Sequence, residues 1–251
     1  MTKRSAVTTA ALSVLALFIA GCVLPTPDDP GTDGTTVKPS KSAEPDPSFT
    51  SLEGAFTYET MDEYVEIVVP WITDWIEHTW PSMRLPNVVF VEHGDSGRSG
   101  CVDVDGRAAR FDDESYFYCG PDETIYVGQD TVWLFYDETG DAGPAMGLAH
   151  EFGHHIQHQL RVPSPRTSEQ SIDYENQADC LSGAWIGFMD GESTLGSLEP
   201  EDDLKDINKL MPMIASAEDD IDRDHGTLAE RKAAFNAGYQ RGVTACGVQA
   251  G

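Results

Sequence analysis

Positive charge is scarce in this chain. Lysine and arginine number 16 against 43 aspartates and glutamates, a net charge of −27. Such a surface repels a phosphate backbone, so nucleic-acid binding is excluded as a function class. Anionic membrane surfaces are repelled too, so any attachment to a bilayer must come from lipid rather than charge. Long apolar runs are missing after the first 20 residues, and no transmembrane helix is expected in the body of the chain. Cysteine is sparse, five in 251 residues, and no two are close together. That argues against a cysteine-ligated zinc cluster. There is no internal repeat, which excludes a solenoid.

What is present falls into three stretches. Residues 1–21 carry Lys3 and Arg4 ahead of an apolar run of eleven residues with one serine, Ala10 to Ala20. The run is short for a bilayer span and fits the core of a signal peptide. It ends in Ile19-Ala20-Gly21-Cys22, which looks like a bacterial lipobox. The resemblance implies cleavage before Cys22 and a diacylglycerol on its sulfur, hence a lipid anchor facing the extracytoplasmic side of a bacterial cell membrane. Residues 22–48 read as a linker, with Pro25, Pro27, Pro30, Pro39, Pro45 and Pro47 among Asp, Thr, Ser and Gly. That composition cannot bury enough surface to offset its ordering entropy, so disorder is expected. Residues 49–251, about 200 in all, are long enough for one domain with a real core.

The chemistry centres on His150-Glu151-Phe152-Gly153-His154, an H-E-x-x-H pattern in a stretch patterned as helix. Residues four apart share a helix face, so both imidazoles can point at one metal ion. Glu151 lies about a quarter turn round, able to reach a water without ligating the metal. A catalytic zinc site takes three protein ligands and leaves one position open. Glu175 is the third candidate, with 20 residues between it and His154 for a turn and a second helix. Asp179 is one turn beyond Glu175 and is expected to accept the second N–H of a ligand imidazole, His150. Read alone, Glu175 and Asp179 would be a solvated helix face in an acidic protein; the preceding motif gives them their ligand reading. H-E-x-x-H followed by E-x-x-x-D looks like the glutamate-zincin plan, with the His₂Glu ligand set of thermolysin.

The likeness extends from Cys101 to Cys246. Its pieces are Phe117-Tyr118-Cys119-Gly120-Pro121, Asp122 to Val127, Ala149 to Gln157, Glu175 to Trp185, and His225-Gly226-Thr227 with Arg231, Phe235 and Gly238. In this order they resemble the bacterial family called "putative neutral zinc metallopeptidase". The resemblance implies one zinc ion per chain and a zincin-like domain. The short acidic stretch Ala217 to Asp222 departs from the family's usual segment there.

On this reading zinc lowers the pKa of its water toward neutrality. Glu151 takes the proton as the water attacks a peptide carbonyl and passes it to the leaving amine. The oxyanion needs a further donor, for which His225 is the candidate. A second reading stays open for His225: Thr227-Leu228-Ala229-Glu230 is a capping box, and His225 then only flanks it. Arg231 reads as a salt-bridge partner of one of the many carboxylates. His158 lies a further turn along the axis and reads as exposed or partly packed, and His155 as packed on the far side of the helix. His78 and His93 have no evident partners in the sequence.

Apart from Cys22, four cysteines remain, and an even count in an exported chain reads as disulfides. Three connectivities are possible. Cys101–Cys119 is favoured because it brackets a short loop-rich segment, which leaves Cys180–Cys246. The expected fold is α+β, mostly α, with a small sheet beside the active-site helix. Helices are expected over Thr60–Trp80, kinked or split at Pro70, from Asp130, through the zinc motif, along Asp179 to Phe188, and over Glu201–Ile214 and Thr227–Arg241. Strands are expected at Asn87–Glu92 and Thr124–Val127.

Three function classes follow. The first is a tethered zinc peptidase acting on a peptide or protein substrate. The second is a tethered binding or scaffold protein with a structural zinc, which Glu151 argues against, since a structural site needs no general base. The third is a zinc amidase acting on cell-wall peptides, which the same chemistry would serve. Oligomeric state leaves no trace in the sequence.

Overall fold

The computed structural model describes residues 35–37, 52–102, 106–191, 200–217, 220 and 223–251. The expected signal peptide, the lipobox with Cys22, and most of the linker lie outside the described residues. Within the linker stretch, Thr35–Val37 departs from the expectation and forms a strand, β1. The elements then follow as α1 (Met61–Thr79), β2 (Asn87–Val91), β3 (Ser96–Val102), β4 (Ala108–Asp112), β5 (Tyr116–Cys119) and β6 (Thr124–Gly128). Five helices follow: α2 (Gln129–Thr139), α3 (Ala142–Gln159), α4 (Ser168–Gly191), α5 (Pro200–Ile214) and α6 (Leu228–Arg241). The fold is α+β and mostly helical, as expected.

One sheet has the order β1-β2-β6-β5, with β2 and β6 parallel and both outer pairs antiparallel. β6 is buried along its whole length, which matches its run Thr-Ile-Tyr-Val-Gly and its place between two strands. β3 and β4 form a separate two-stranded sheet. Phe111, Tyr126, Val91 and the bridged pair Cys101–Cys119 form a small core beneath it.

The main core lies between the helices and the larger sheet. α1 places Met61, Tyr64, Val65, Val68, Ile72, Trp75 and Ile76 in it, at intervals of three and four. α1 is not split at Pro70; the helix runs through it. Proline removes the bond to the Glu66 carbonyl, but Glu66 is an exposed residue, and apolar anchors hold both flanking turns. α6 starts with the expected capping box, Thr227 N–H donating to Glu230 Oε2 (2.8 Å) and Glu230 N–H to Thr227 Oγ1 (3.3 Å).

Two glycines set the helix packing that builds the site. A side chain at Gly153 in α3 would come within 3.1 Å of Ala178 in α4, and one at Gly238 in α6 within 1.8 Å of the Cys180 carbonyl. Their absence of Cβ lets α3, α4 and α6 approach closely. The Cys180–Cys246 disulfide ties α4 to the segment after α6.

Candidate active site

α3 carries His150 and His154 one turn apart, and α4 brings Glu175 and Asp179 against them. All four are expected residues, and the structure gathers them. Ligand atoms of His150, His154 and Glu175 lie within 4.8 Å of one another. His150 Nε2 is 3.1 Å from Glu175 Oε2, and His154 Nε2 is 3.3 Å from Glu175 Oε1. His225, from the turn before α6, also reaches the cluster: its Nε2 is 3.5 Å from Glu175 Oε2, while its Nδ1 bonds Asp224 Oδ1 at 2.8 Å. The helix-cap reading of Thr227 holds as well, so the rigid cap carries the histidine.

The hydrogen bonds on the far side of each imidazole decide where its proton sits. His150 Nδ1 donates to Asp179 Oδ1 at 2.8 Å. His154 Nδ1 donates to Gln157 Oε1 at 2.8 Å. In a neutral ring this leaves the Nε2 lone pair facing Glu175 in both cases. Lone pairs set 3.1 and 3.3 Å from a carboxylate repel it unless a positive charge lies between them. Second protons on the rings would supply it, and so would a metal ion. Two imidazoles and one carboxylate are a donor set that suits zinc and leaves a fourth position open.

The electrostatics agree. Burial disfavours charge on His150, but Asp179 and Glu175 outweigh it and push its pKa up to about 10. Burial likewise opposes ionisation of Glu175, yet His154 and His150 hold its carboxyl well below the usual range. Glu151 is buried, which raises its pKa, against the opposing pull of His154 and His150. Its Oε2 accepts the backbone N–H of Tyr118 at 2.8 Å. That bond joins α3 to β5, the edge strand of the larger sheet.

Asp179 has a second partner. Arg231 Nη2 donates to Asp179 Oδ1 at 2.8 Å, and its Nη1 to the Ile214 carbonyl at 3.0 Å. Both side chains are almost inaccessible, 3 % and 0 %, so this is an interior charge pair joining α4, α5 and α6. The expected salt bridge for Arg231 exists, and its partner is the residue that orients His150.

The remaining histidines divide. His155 is buried on the far side of α3, bonded to Tyr118 Oη and the Arg84 carbonyl, and His158 is exposed and bonds Tyr118 Oη, both as expected. His93 does have partners: Asp130 at 3.1 Å and Asp113 at 3.2 Å, which only the fold brings near it. His78 packs its ring on Phe188. Sequence reading overlooked Gln157, although its place three residues after His154 puts it on the same face. The Tyr118 amide gave no side-chain signal at all. Both expected disulfides are formed.

A profile of the family described as "Putative neutral zinc metallopeptidase" matches residues 88–247, more than half of the chain. The chain belongs to this family. The match spans β2 to the segment after α6 and includes every residue of the cluster. Zinc is the metal that the family implies, in keeping with the donor set. An uncharacterized protein of Mycobacterium tuberculosis (strain CDC 1551 / Oshkosh) is 31 % identical over 152 residues, 50 % of this chain and 52 % of that one. The uncharacterized protein YpfJ of Escherichia coli (strain K12) is 28 % identical over 149 residues, 50 % of each chain. The chain thus spans about half the length of these relatives. No solved structure matches it significantly.

Proposed function

We propose that this protein is a membrane-tethered, extracytoplasmic zinc peptidase that hydrolyses peptide bonds, with Glu151 as general base. One observation supports the reading: two imidazole Nε2 atoms and the Glu175 carboxylate converge in a buried cluster whose donor set could hold a metal ion, with the Glu151 carboxyl buried beside it. His150, His154 and Glu175 would hold one zinc ion. When bound, zinc supplies Lewis acidity, acidifying water and polarising a carbonyl oxygen.

The chain's own residues do the rest. Glu151 takes the proton of the attacking water and delivers it to the leaving amine nitrogen. Its burial raises the pKa, which brings it closer to the value a base needs near neutral pH. The Tyr118 amide holds one of its oxygens and leaves the other for water. Asp179 and Gln157 keep the His150 and His154 protons on Nδ1. His225, tied to Asp224 through Nδ1, aims its Nε2 at the substrate oxygen that gains negative charge.

Tethering rests on the lipobox-like Ile19-Ala20-Gly21-Cys22 and on the two disulfides, which suit an oxidising compartment. Two acyl chains suffice for stable anchoring. With Cys22→Ser the chain is expected to leave the membrane fraction; persistence there would end the tethering reading.

The chemistry is tested on the full chain with a mixed peptide library read by mass spectrometry, beside Glu151→Gln. Cleavage by the parent, reduced about 10²–10⁴-fold in the variant at equal zinc content, is the expected result. One zinc per chain with no peptide cut by either would overturn it, favouring a binding protein or an amidase of cell-wall peptides.

A further inference from the structure

We infer that Gln157 is a positioning residue that fixes the ring plane and tautomer of His154, and that Gln177 and the Cys246 carbonyl fix Gln157 in turn. The inference rests on the zinc reading proposed above. It starts from two backbone carbonyls, which can only accept hydrogen bonds. Gln157 Nε2 is 2.7 Å from the Tyr174 carbonyl, so its amide group must point that way. Its Oε1 therefore faces His154 Nδ1, and that nitrogen must carry the proton. Gln177 Nε2 donates to the Cys246 carbonyl at 2.9 Å, which turns its Oε1 toward the second Gln157 N–H at 3.1 Å. Donors and acceptors thus run in one direction, from the Cys246 carbonyl through two amides to the imidazole.

Gln157 is fully buried, and two donors and its acceptor oxygen are engaged. No water need enter to satisfy it. The Tyr174 ring stacks on His154, with centroids 5.2 Å apart and planes 12° apart, so the ring is held by a face and by an edge. The outcome is an Nε2 directed at Glu175, where a metal ion would take the place of a ring proton. The two ligand imidazoles are fixed by different devices. His150 rests on the charged Asp179–Arg231 pair, and His154 on a neutral relay ending at the Cys180–Cys246 staple. Cys180 adjoins Asp179 in sequence, so the staple lies at the root of both supports.

The test uses the full chain, with zinc affinity measured by chelator competition and the visible spectrum of the Co²⁺-substituted protein. Gln157→Met keeps the volume and removes the relay. It is expected to weaken zinc binding about 10–100-fold and to alter the Co²⁺ spectrum. Gln177→Met, which leaves the Tyr174 bond intact, should weaken binding less. Val132→Ala, in the α2 core away from the relay, serves as the stability control: it should lower resistance to urea while zinc affinity and spectrum stay as in the parent. Zinc affinity of Gln157→Met within about threefold of the parent, short of the tenfold that loss of an orienting partner brings, would overturn the inference while leaving the zinc reading intact. A parent that binds no zinc would overturn both. An equal loss of zinc affinity in Val132→Ala would reduce Gln157 to a packing residue and overturn it as well.

Discussion

Replacing Arg231 by methionine should be among the most damaging single changes outside the catalytic group. The guanidinium is 3 % accessible and its partner Asp179 is 0 % accessible. Removing it leaves a carboxylate buried beside His150 alone and orphans the Ile214 carbonyl. Breaking a buried ion pair from one side costs about 3–5 kcal/mol, because the remaining charge stays desolvated. The pair is bonded through one oxygen, since Asp179 Oδ2 and Arg231 Nε have no partner among the described residues. The lower end, about 3 kcal/mol, is therefore expected. For a domain of about 200 residues that corresponds to a fall in Tm of about 6–12 °C. The assay is urea unfolding of the zinc-saturated chain with disulfides intact. Parent, Arg231→Met, Asp179→Asn and the double variant form a cycle. The amide introduced by Asp179→Asn carries no charge to strand, so Arg231→Met should cost at least about 1 kcal/mol less in that background. A cost below about 1 kcal/mol for Arg231→Met, or strict additivity in the cycle, would refute the account of an interior charge pair.

The other predictions concern the staples, pH and the oxyanion donor. Loop closure over the 66-residue separation of Cys180–Cys246 should contribute about 4 kcal/mol and the 18-residue separation of Cys101–Cys119 about 3 kcal/mol by the chain-entropy model. Only the Cys180→Ser/Cys246→Ser double variant should also weaken zinc binding, as chelator competition would reveal. Burial and the neighbouring Glu53 raise the Asp141 pKa from 3.8 to about 6. The folded state then binds the proton more tightly than the unfolded one, so stability falls as pH rises from about 4 to 6. The contribution is on the order of 3 kcal/mol, and Asp141→Asn should remove that slope in urea titrations at fixed zinc. His225→Phe should lower kcat about 10²-fold with zinc content unchanged; a loss of zinc instead would make His225 a ligand.

Much of the site could be read along the chain, because its spacings are those of one helical turn. His150 and His154 lie four apart, as do Glu175 and Asp179, and helical periodicity places each pair on one face whatever the rest of the fold does. Thr227 and Glu230 announced their cap in the same local way, and so did the alternation of apolar residues along α1. The cysteine pairing followed from loop length, and the mostly helical α+β architecture from the order of patterned segments.

Other features depended on distances between residues far apart in sequence. Which of 43 acids would meet Arg231 was decided by the close approach of α4 and α6 at Gly238. The Tyr118 amide reaches Glu151 only because β5 lies along α3, and a backbone donor leaves no mark in the sequence. His93 found two aspartates through the folding of three separate segments. Pro70 stayed within a helix because apolar burial on both sides outweighed the bond it lacks. His225 reached Glu175 because the start of α6 is pinned against α4. The sequence by itself determined which groups would share a face, since that is set by short-range backbone geometry. Only the tertiary structure decided which faces meet, since that depends on how closely the helices can pack.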